Sequence, residues 1–124
     1  MWKIGFCIIG FVFCSLSYAD NDLGKAIYDK SCQTCHNPGT APLMLAPSAH
    51  DVADWKIRFE NAENIAKKDP NKYPDALSVL VASVKNGKGS MVPGGMCQDN
   101  ATADKKCTDS DYAAAIRFMS DNQI

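Results

Sequence analysis

Apolar residues recur at intervals of three and four in four stretches of the chain, and this spacing is typical of helices that bury one face. The alternation of apolar and polar residues that marks a half-buried strand is missing from the sequence. The predicted fold class is therefore all-α, with about four helices. In chain order, the predicted helices cover residues 22–31, 51–68, 74–87 and 108 onward.

Local signals support the predicted helix ends. Asn21 or Asp22 could cap the first helix, and Thr108 and Asp111 form a capping-box-like pair before the last. The segment NPGTAPLMLAP between the first two helices has three prolines and a glycine, and it is predicted to be a loop. The stripe expected to bury the second helix is Val52, Trp55, Phe59 and Ile65.

The first nineteen residues have the pattern of a signal peptide. Lys3 gives a basic start, an uncharged apolar run follows to Leu16, and Ser17 and Ala19 offer small residues at the cleavage position. The run of about thirteen residues is shorter than a membrane span needs. We therefore expect residues 1–19 to be removed and residues 20–124 to form one exported domain. A retained anchor is the alternative.

Export changes how the cysteines are interpreted. Outside the signal peptide the chain keeps Cys32, Cys35, Cys97 and Cys107, and in an oxidising compartment an even number of cysteines indicates covalent use. Without Lys3, twelve basic residues face fourteen acidic ones, a net charge of about −2. This balance, with no basic cluster longer than two residues, argues against nucleic acid as a partner.

Residues 32–36 read CQTCH, and this motif has three possible uses. Zinc would need a second closely spaced ligand pair, but Cys97 and Cys107 are ten residues apart. A dithiol redox pair would need a βαβ setting, and the sequence predicts no strand. Haem c fits best, because its two vinyl groups match thiols three residues apart. We expect Cys32 and Cys35 to bind one haem and His36 to ligate its iron.

A methionine is the expected second iron ligand, because filling both axial positions suits electron transfer rather than substrate binding. Met91 is preferred because GKGSMVPGG surrounds it with glycines that free the backbone. Met96, five residues later and next to a cysteine, is the rival. Met119 has core spacing on the last helix, and Met44 is too close to His36 to reach the opposite haem face. His50, a lone histidine before a helix, is interpreted as a surface residue.

These motifs together resemble class I cytochromes c, and more narrowly the short bacterial cytochromes of the c-five group. The resemblance covers the whole exported domain. Gly24 and Tyr28 stand where this family packs its first helix against its last. The resemblance implies that Ala115 and Phe118 are their counterparts on the last helix.

The segment APSAHDVADWKIR also resembles this group. The resemblance implies that the Pro47 carbonyl accepts a hydrogen bond from the proximal histidine and that Trp55 and Arg58 bind a haem propionate. Pro42 also follows an alanine and is the alternative to Pro47. Without the resemblance, Trp55 would be a core residue and Arg58 a solvated one.

The resemblance further implies a disulfide between Cys97 and Cys107, although the group spaces these cysteines more closely. It implies a monomeric electron carrier of a bacterial respiratory chain, located in the periplasm and exchanging electrons with a reductase, a terminal oxidase or another cytochrome. No substrate turnover is expected. Two rivals are a haem enzyme or gas sensor with an open distal side, and a zinc-stabilised module built on the four cysteines.

Overall fold

The computed structural model describes residues 16–97 and 106–121, and within these ranges the regular structure is helical. A single bridge between Lys88 and Met91 is the extended pairing in this part of the chain. The small all-α architecture predicted from the sequence is confirmed. The helices, named in chain order, are α1 (Leu16–Ile27), α2 (Gln33–His36), α3 (Ala41–Met44), α4 (Val52–Lys68), α5 (Ala76–Asn86) and α6 (Asp109–Met119).

Helix α1 continues into α2 through a π-helical turn over Tyr28–Cys32. In this turn the Gln33 N–H donates to the Tyr28 carbonyl, five residues back. The extra residue widens the helix directly before the CQTCH motif. Such single π-turns inside helices occur frequently at functional sites.

The predicted start of the first helix is wrong. Helix α1 already includes Leu16, so Asn21 and Asp22 lie inside the helix and do not cap it. The physical reason is that residues 16–21 contain neither proline nor glycine, and nothing in them interrupts helical hydrogen bonding. The predicted end at Ser31 is also wrong, because helical structure extends to His36.

Asn37 ends α2 directly after His36. Its backbone turns to an extended conformation, and its side-chain oxygen accepts hydrogen bonds from the N–H groups of Gly39 and Thr40, at 2.9 and 3.1 Å. This Asx turn redirects the chain. The following segment, predicted to be a loop throughout, contains the short helix α3.

Helix α4 is capped by Asp51, whose carboxylate accepts a hydrogen bond from the Asp54 N–H at 3.1 Å. Its buried face differs from the predicted stripe. Trp55 and Phe59 are buried as predicted, but Val52 and Ile65 are 49% and 44% exposed. At 100° per residue these two lie on the flanks of the face, and the alanines at 62 and 66 continue it instead.

Helix α5 begins at Ala76, two residues later than predicted. Asp75 is its cap: the Asp75 carboxylate accepts from the Ser78 N–H at 2.7 Å, and the two residues form a capping box. Leu77 and Val81 are buried on its inner face. The helix ends at Asn86, and Gly87, the predicted end of this helix, follows with φ 77°.

Helix α6 has the capping box that the sequence predicted. The Asp111 N–H donates to the Thr108 hydroxyl oxygen at 3.3 Å, and the Thr108 N–H donates to the Asp111 carboxylate at 2.8 Å.

We expect Thr108→Ala to lower the free energy of unfolding by about 1 kcal/mol, because it leaves one N–H of the first turn without its cap. Chemical denaturation measures this difference. Ser110→Ala, at an exposed position of the same turn, is the matched control and should stay within about 0.5 kcal/mol of the parent. Equal effects of the two substitutions would contradict a capping role for Thr108.

Helices α1 and α6 cross in close contact at Gly24, as the resemblance implied. A Cβ atom at Gly24 would lie 2.2 Å from the Ala114 carbonyl oxygen and 2.8 Å from the Phe118 Cβ. The rings of Tyr28 and Phe118 pack with centroids 5.4 Å apart. Phe118 is thus the predicted counterpart, whereas the backbone nearest to Gly24 belongs to Ala114 rather than to Ala115.

One main cluster of buried side chains joins α1, α4, α5 and α6, and it includes Trp55, Tyr112 and Met119. Its position next to Cys32 places the CQTCH motif at the edge of the core. A smaller cluster of Ala62, Ala66 and Val79 joins α4 to α5. Among the described residues, no helix combines the length and the apolar character that crossing a bilayer requires.

Candidate functional site

The CQTCH motif is helical over most of its length, with Cys32 closing the π-turn and residues 33–36 forming α2. Cys32 and Cys35 are partly buried and are not joined in a disulfide. His36 is buried, with 9% of its surface exposed. The helix therefore holds two free thiols and one imidazole within five consecutive residues.

The imidazole of His36 is fixed by the loop that follows. Its Nδ1 lies 2.8 Å from the carbonyl oxygen of Pro47. A carbonyl can only accept, so this contact requires the Nδ1–H tautomer and leaves Nε2 as the nitrogen able to bind a metal. Of the two prolines considered from the sequence, the structure brings Pro47 to the histidine ring.

The same loop bonds the backbone on both sides of this contact. The Ala49 N–H donates to the His36 carbonyl at 2.7 Å, and the His50 N–H donates to the Met119 carbonyl at 2.6 Å. Residues 47–50 thus tie His36 to the end of α6. The orientation of His36 depends on several bonds, not on one.

Trp55 lies beside His36, with ring centroids 6.4 Å apart and a 28° angle between the ring planes. Its indole N–H donates to the Ser48 carbonyl at 2.9 Å. The Nε–H of Arg58 contacts the Asp54 carboxylate at 3.3 Å, which leaves the two terminal nitrogens of the guanidinium outside this bond. The assignment of Trp55 and Arg58 to a haem propionate stays a prediction.

Met91 lies in a glycine-rich loop, the methionine loop (residues 87–95), between α5 and a 3₁₀ turn at Gly95–Cys97. The Lys88 and Met91 backbones pair across the loop, with N–H to carbonyl distances of 3.2 and 3.0 Å. A Cβ atom at Gly87 would lie 2.8 Å from the Met91 carbonyl oxygen. Glycine at 87 is therefore needed for this tight turn as well as for its positive φ.

The other methionines lie as follows. Met119 is buried in the main core, as its helical spacing predicted. Met96 and Met44 are 38% and 37% exposed, whereas Met91 is partly buried. The 3₁₀ turn that carries Met96 packs against the π-turn that ends at Cys32. This packing brings the end of the methionine loop to the CQTCH motif.

Cys97 and Cys107 lie at disulfide-bonding distance, with Cα atoms 5.8 Å apart. This separation is in the usual range for a disulfide. Most of the longer loop predicted between them, residues 98–105, lies outside the described residues. The pair joins the 3₁₀ turn directly to the start of α6.

The apolar residues Leu43 and Leu45, in the segment that follows the CQTCH motif, are 82% and 85% exposed. Leu80 and Val84 pack against the main core. Leu45 has φ 54°, which is unusual for a branched residue and ends α3 abruptly.

Two contacts near the site were missed from the sequence. His50 is exposed, as interpreted from the sequence, but its Nδ1 lies 2.6 Å from the Asp121 carboxylate, and its ring packs edge-on against Phe118. Tyr112 donates its hydroxyl hydrogen to the Gly94 carbonyl at 3.0 Å. Partners separated by 71 and 18 positions in the chain leave no local sequence signal.

Comparison with known proteins decides the family. Residues 19–119 match the model of the family described as "Cytochrome C oxidase, cbb3-type, subunit III". The chain is 35% identical over 101 residues to "Cytochrome c-555" of Chlorobaculum thiosulfatiphilum, covering 81% of this chain and 93% of the relative. It is 31% identical over 100 residues to "Cytochrome c-555" of Chlorobaculum tepidum, covering 81% and 74%.

The chain belongs to the cytochrome c family. No solved structure matches this cytochrome at the significance of these two relatives. The resemblance inferred from CQTCH and the flanking segments is thus confirmed at the level of the family. Family membership implies haem c as the cofactor.

The residues of this cytochrome fit haem c. Two unpaired thiols lie three residues apart, and the adjacent imidazole has Nδ1 engaged and Nε2 available. Burial, together with the nearby Cys35 thiol, raises the pKa of Cys32 to about 12. A dithiol oxidoreductase would instead need a lowered pKa, because the thiolate is its nucleophile.

The donor set does not fit zinc. Cys97 and Cys107 lie at disulfide-bonding distance from each other, and a bond between them would leave neither thiol to join Cys32 and Cys35. Within residues 16–97 and 106–121, no three His, Cys, Asp or Glu side chains are grouped closely enough to hold a metal ion.

Proposed function

We propose that this cytochrome is a monohaem electron carrier whose haem is attached through Cys32 and Cys35 and whose iron is ligated by His36 and Met91. The observation that carries the proposal is the 2.8 Å contact between His36 Nδ1 and the Pro47 carbonyl. It fixes the tautomer and orientation that an iron-ligating histidine needs, next to two free thiols. When bound, haem supplies one iron that alternates between the ferric and ferrous states.

The Pro47 carbonyl has a second consequence. A hydrogen bond from Nδ1–H raises the electron density at Nε2 and makes the imidazole a stronger ligand. The stacked Trp55 ring and the bond from Ala49 to the His36 carbonyl limit rotation of the imidazole. A ligand held in one orientation changes little between oxidation states, which favours fast electron transfer.

Methionine ligation is supported by how the methionine loop is built. Met91 is partly buried, and its terminal methyl lies 3.5 Å from the position of a Cβ at Gly95, so its side chain folds back over the loop. A thioether ligand raises the reduction potential relative to a second histidine. Met96 is more exposed and follows the loop rather than lying within it.

Arg58 is the better supported of the two proposed propionate ligands. Its terminal nitrogens remain outside the bond to Asp54, and a guanidinium suits a carboxylate geometrically. The indole N–H of Trp55 would have to exchange the Ser48 carbonyl for the propionate.

We also propose that the protein is exported to the periplasm as a monomer and carries electrons between proteins of a bacterial respiratory chain, without substrate turnover. Residues 1–19 would be the signal peptide and residues 20–124 the cytochrome c domain. Lys85, in the last turn of α5 before the methionine loop, is paired with Asp109 at 2.9 Å. The pairing of Lys85 reduces the positive charge available to steer a partner, so salt should affect association weakly.

Met91→Ala tests the axial ligand. We expect it to abolish the far-red sulfur-to-iron absorption of the ferric protein and to lower the reduction potential, because the thioether that fills the sixth position is gone. Absorption spectroscopy and potentiometry measure both.

Met96→Ala is the matched control and should keep the far-red band. Persistence of the band in Met91→Ala with its loss in Met96→Ala would transfer the assignment to Met96. Absence of the band from the parent protein would instead favour a haem enzyme or gas sensor with an open distal side.

A further inference from the structure

The methionine loop is fastened at its two ends to one carbonyl group. The Val84 carbonyl, in the last turn of α5, accepts a hydrogen bond from the Gly94 N–H at 2.8 Å and one from the Gly87 N–H at 3.4 Å. This arrangement closes the loop. It does not by itself hold the loop against the rest of the molecule, because both bonds return to the helix from which the loop leaves.

The loop has little stiffness of its own. Gly87, Gly89, Gly94 and Gly95 all have positive φ values, between 58° and 77°. Glycine is the residue that restricts the backbone least, so a segment with four of them samples many conformations unless other elements hold it. Besides the pairing of Met91 with Lys88 inside the loop, the position of Met91 therefore depends on contacts from outside it.

Tyr112 supplies such a contact from α6. Its side chain is 7% exposed, and its hydroxyl donates to the Gly94 carbonyl at 3.0 Å. The same peptide segment thus bonds α5 through the Gly94 N–H and α6 through the Gly94 carbonyl. Gly94 lies three positions after Met91, so the two bonds that hold Gly94 also limit how far Met91 can move.

The phenol remains a donor at neutral pH. Burial raises the pKa of Tyr112, and the carboxylates of Asp109 and Asp111 raise it further, while Lys85 acts in the opposite direction. The hydroxyl is therefore protonated throughout the range in which the protein would work. The hydrogen bond from Tyr112 to the Gly94 carbonyl is therefore retained over this pH range.

We propose that Tyr112 is a positioning residue for the axial methionine: its hydrogen bond to Gly94 holds the methionine loop in place and would limit exchange of the Met91 thioether for an external ligand. This inference rests on the proposed ligation by Met91. The phenyl ring of Tyr112 also belongs to the main core, so a packing role must be separated from the role of the hydroxyl.

Tyr112→Phe makes that separation, because it removes one oxygen and keeps the ring. In the full-length, exported, haem-loaded protein we expect ferric Tyr112→Phe to bind imidazole about tenfold more tightly than the parent, the change in equilibrium that one lost hydrogen bond produces. The far-red band should weaken. The midpoint of thermal unfolding should fall much less than in Tyr112→Ala, which removes the ring from the core as well.

Tyr28→Phe is the matched control. It is the same chemical change in a partly buried ring, packed on Phe118 rather than hydrogen-bonded to the methionine loop. We expect its imidazole affinity to equal that of the parent. Equal affinities of Tyr112→Phe and the parent, or the same increase in both variants, would overturn the role of Tyr112.

Failure of the proposed ligation gives a different result. In that case the parent protein would lack the far-red band, and Met91→Ala would bind imidazole with the parent's affinity. A parent protein with the band, combined with an unchanged Tyr112→Phe, would disprove only the positioning role.

Discussion

Gly24→Ala should lower the free energy of unfolding by about 2 kcal/mol and the unfolding midpoint by about 10 °C. Two effects of opposite sign decide the value. Alanine in the middle of a helix is more favourable than glycine by about 1 kcal/mol. Against this, the added methyl would lie 2.2 Å from the Ala114 carbonyl oxygen and 2.8 Å from the Phe118 Cβ.

The steric effect exceeds the gain in helix propensity because the atoms met are part of the backbone and the first side-chain atom. Neither can rotate away, so α1 and α6 must separate, and overpacking of this kind costs about 3 kcal/mol. Because α1 leads into the CQTCH motif, the shift would also move the candidate haem site. Thermal and chemical denaturation of the haem-loaded protein measure the loss.

Ala26→Ser is the control for this prediction. It also adds one heavy atom to α1, but at an exposed position, and should change stability by less than about 0.5 kcal/mol. If Gly24→Ala were as stable as the parent, the close crossing of α1 and α6 would not exist in solution.

Replacing Cys32 and Cys35 together by serine should have a larger effect, namely complete loss of covalent haem. Serine cannot form the two thioethers, and haem is then removed by acid–acetone extraction. The domain should also lose most of its helical circular dichroism. A chain of this size buries a small core, and for such a domain the cofactor completes the interior.

The double variant Cys97→Ser/Cys107→Ser distinguishes the two cysteine pairs. It should keep its red colour through the extraction and lose stability by about 2–3 kcal/mol, the value expected for a cross-link that closes a short loop. Retention of haem by the Cys32→Ser/Cys35→Ser variant, or its loss from the other, would contradict the division of roles between the pairs.

Features that depend on neighbouring residues were predicted well from the sequence. The capping box of Thr108 and Asp111 involves atoms three residues apart, and both bonds are found. Termination of α5 at Gly87 depends on one residue that tolerates positive φ. The prediction of where α1 starts was wrong because no local signal in SLSYAD stops a helix. The apolar pattern alone cannot place such a boundary.

Contacts between distant residues could not be derived in this way. The bond from Tyr112 to Gly94 and the pairing of His50 with Asp121 depend on how α6 packs, and packing has no periodic signature. The contact of His36 with Pro47 was expected only from the resemblance to a family. Pro42, which also follows an alanine, was the alternative, and the three-dimensional path of residues 37–47 brings Pro47 to the ring.

The intact mass of the protein recovered from the periplasm tests the central proposal most directly. We predict the mass of a polypeptide that begins at Asp20, plus one haem, minus two hydrogens for the bond between Cys97 and Cys107. A mass equal to that of the polypeptide alone would contradict covalent haem at Cys32 and Cys35, and with it the electron-transfer function.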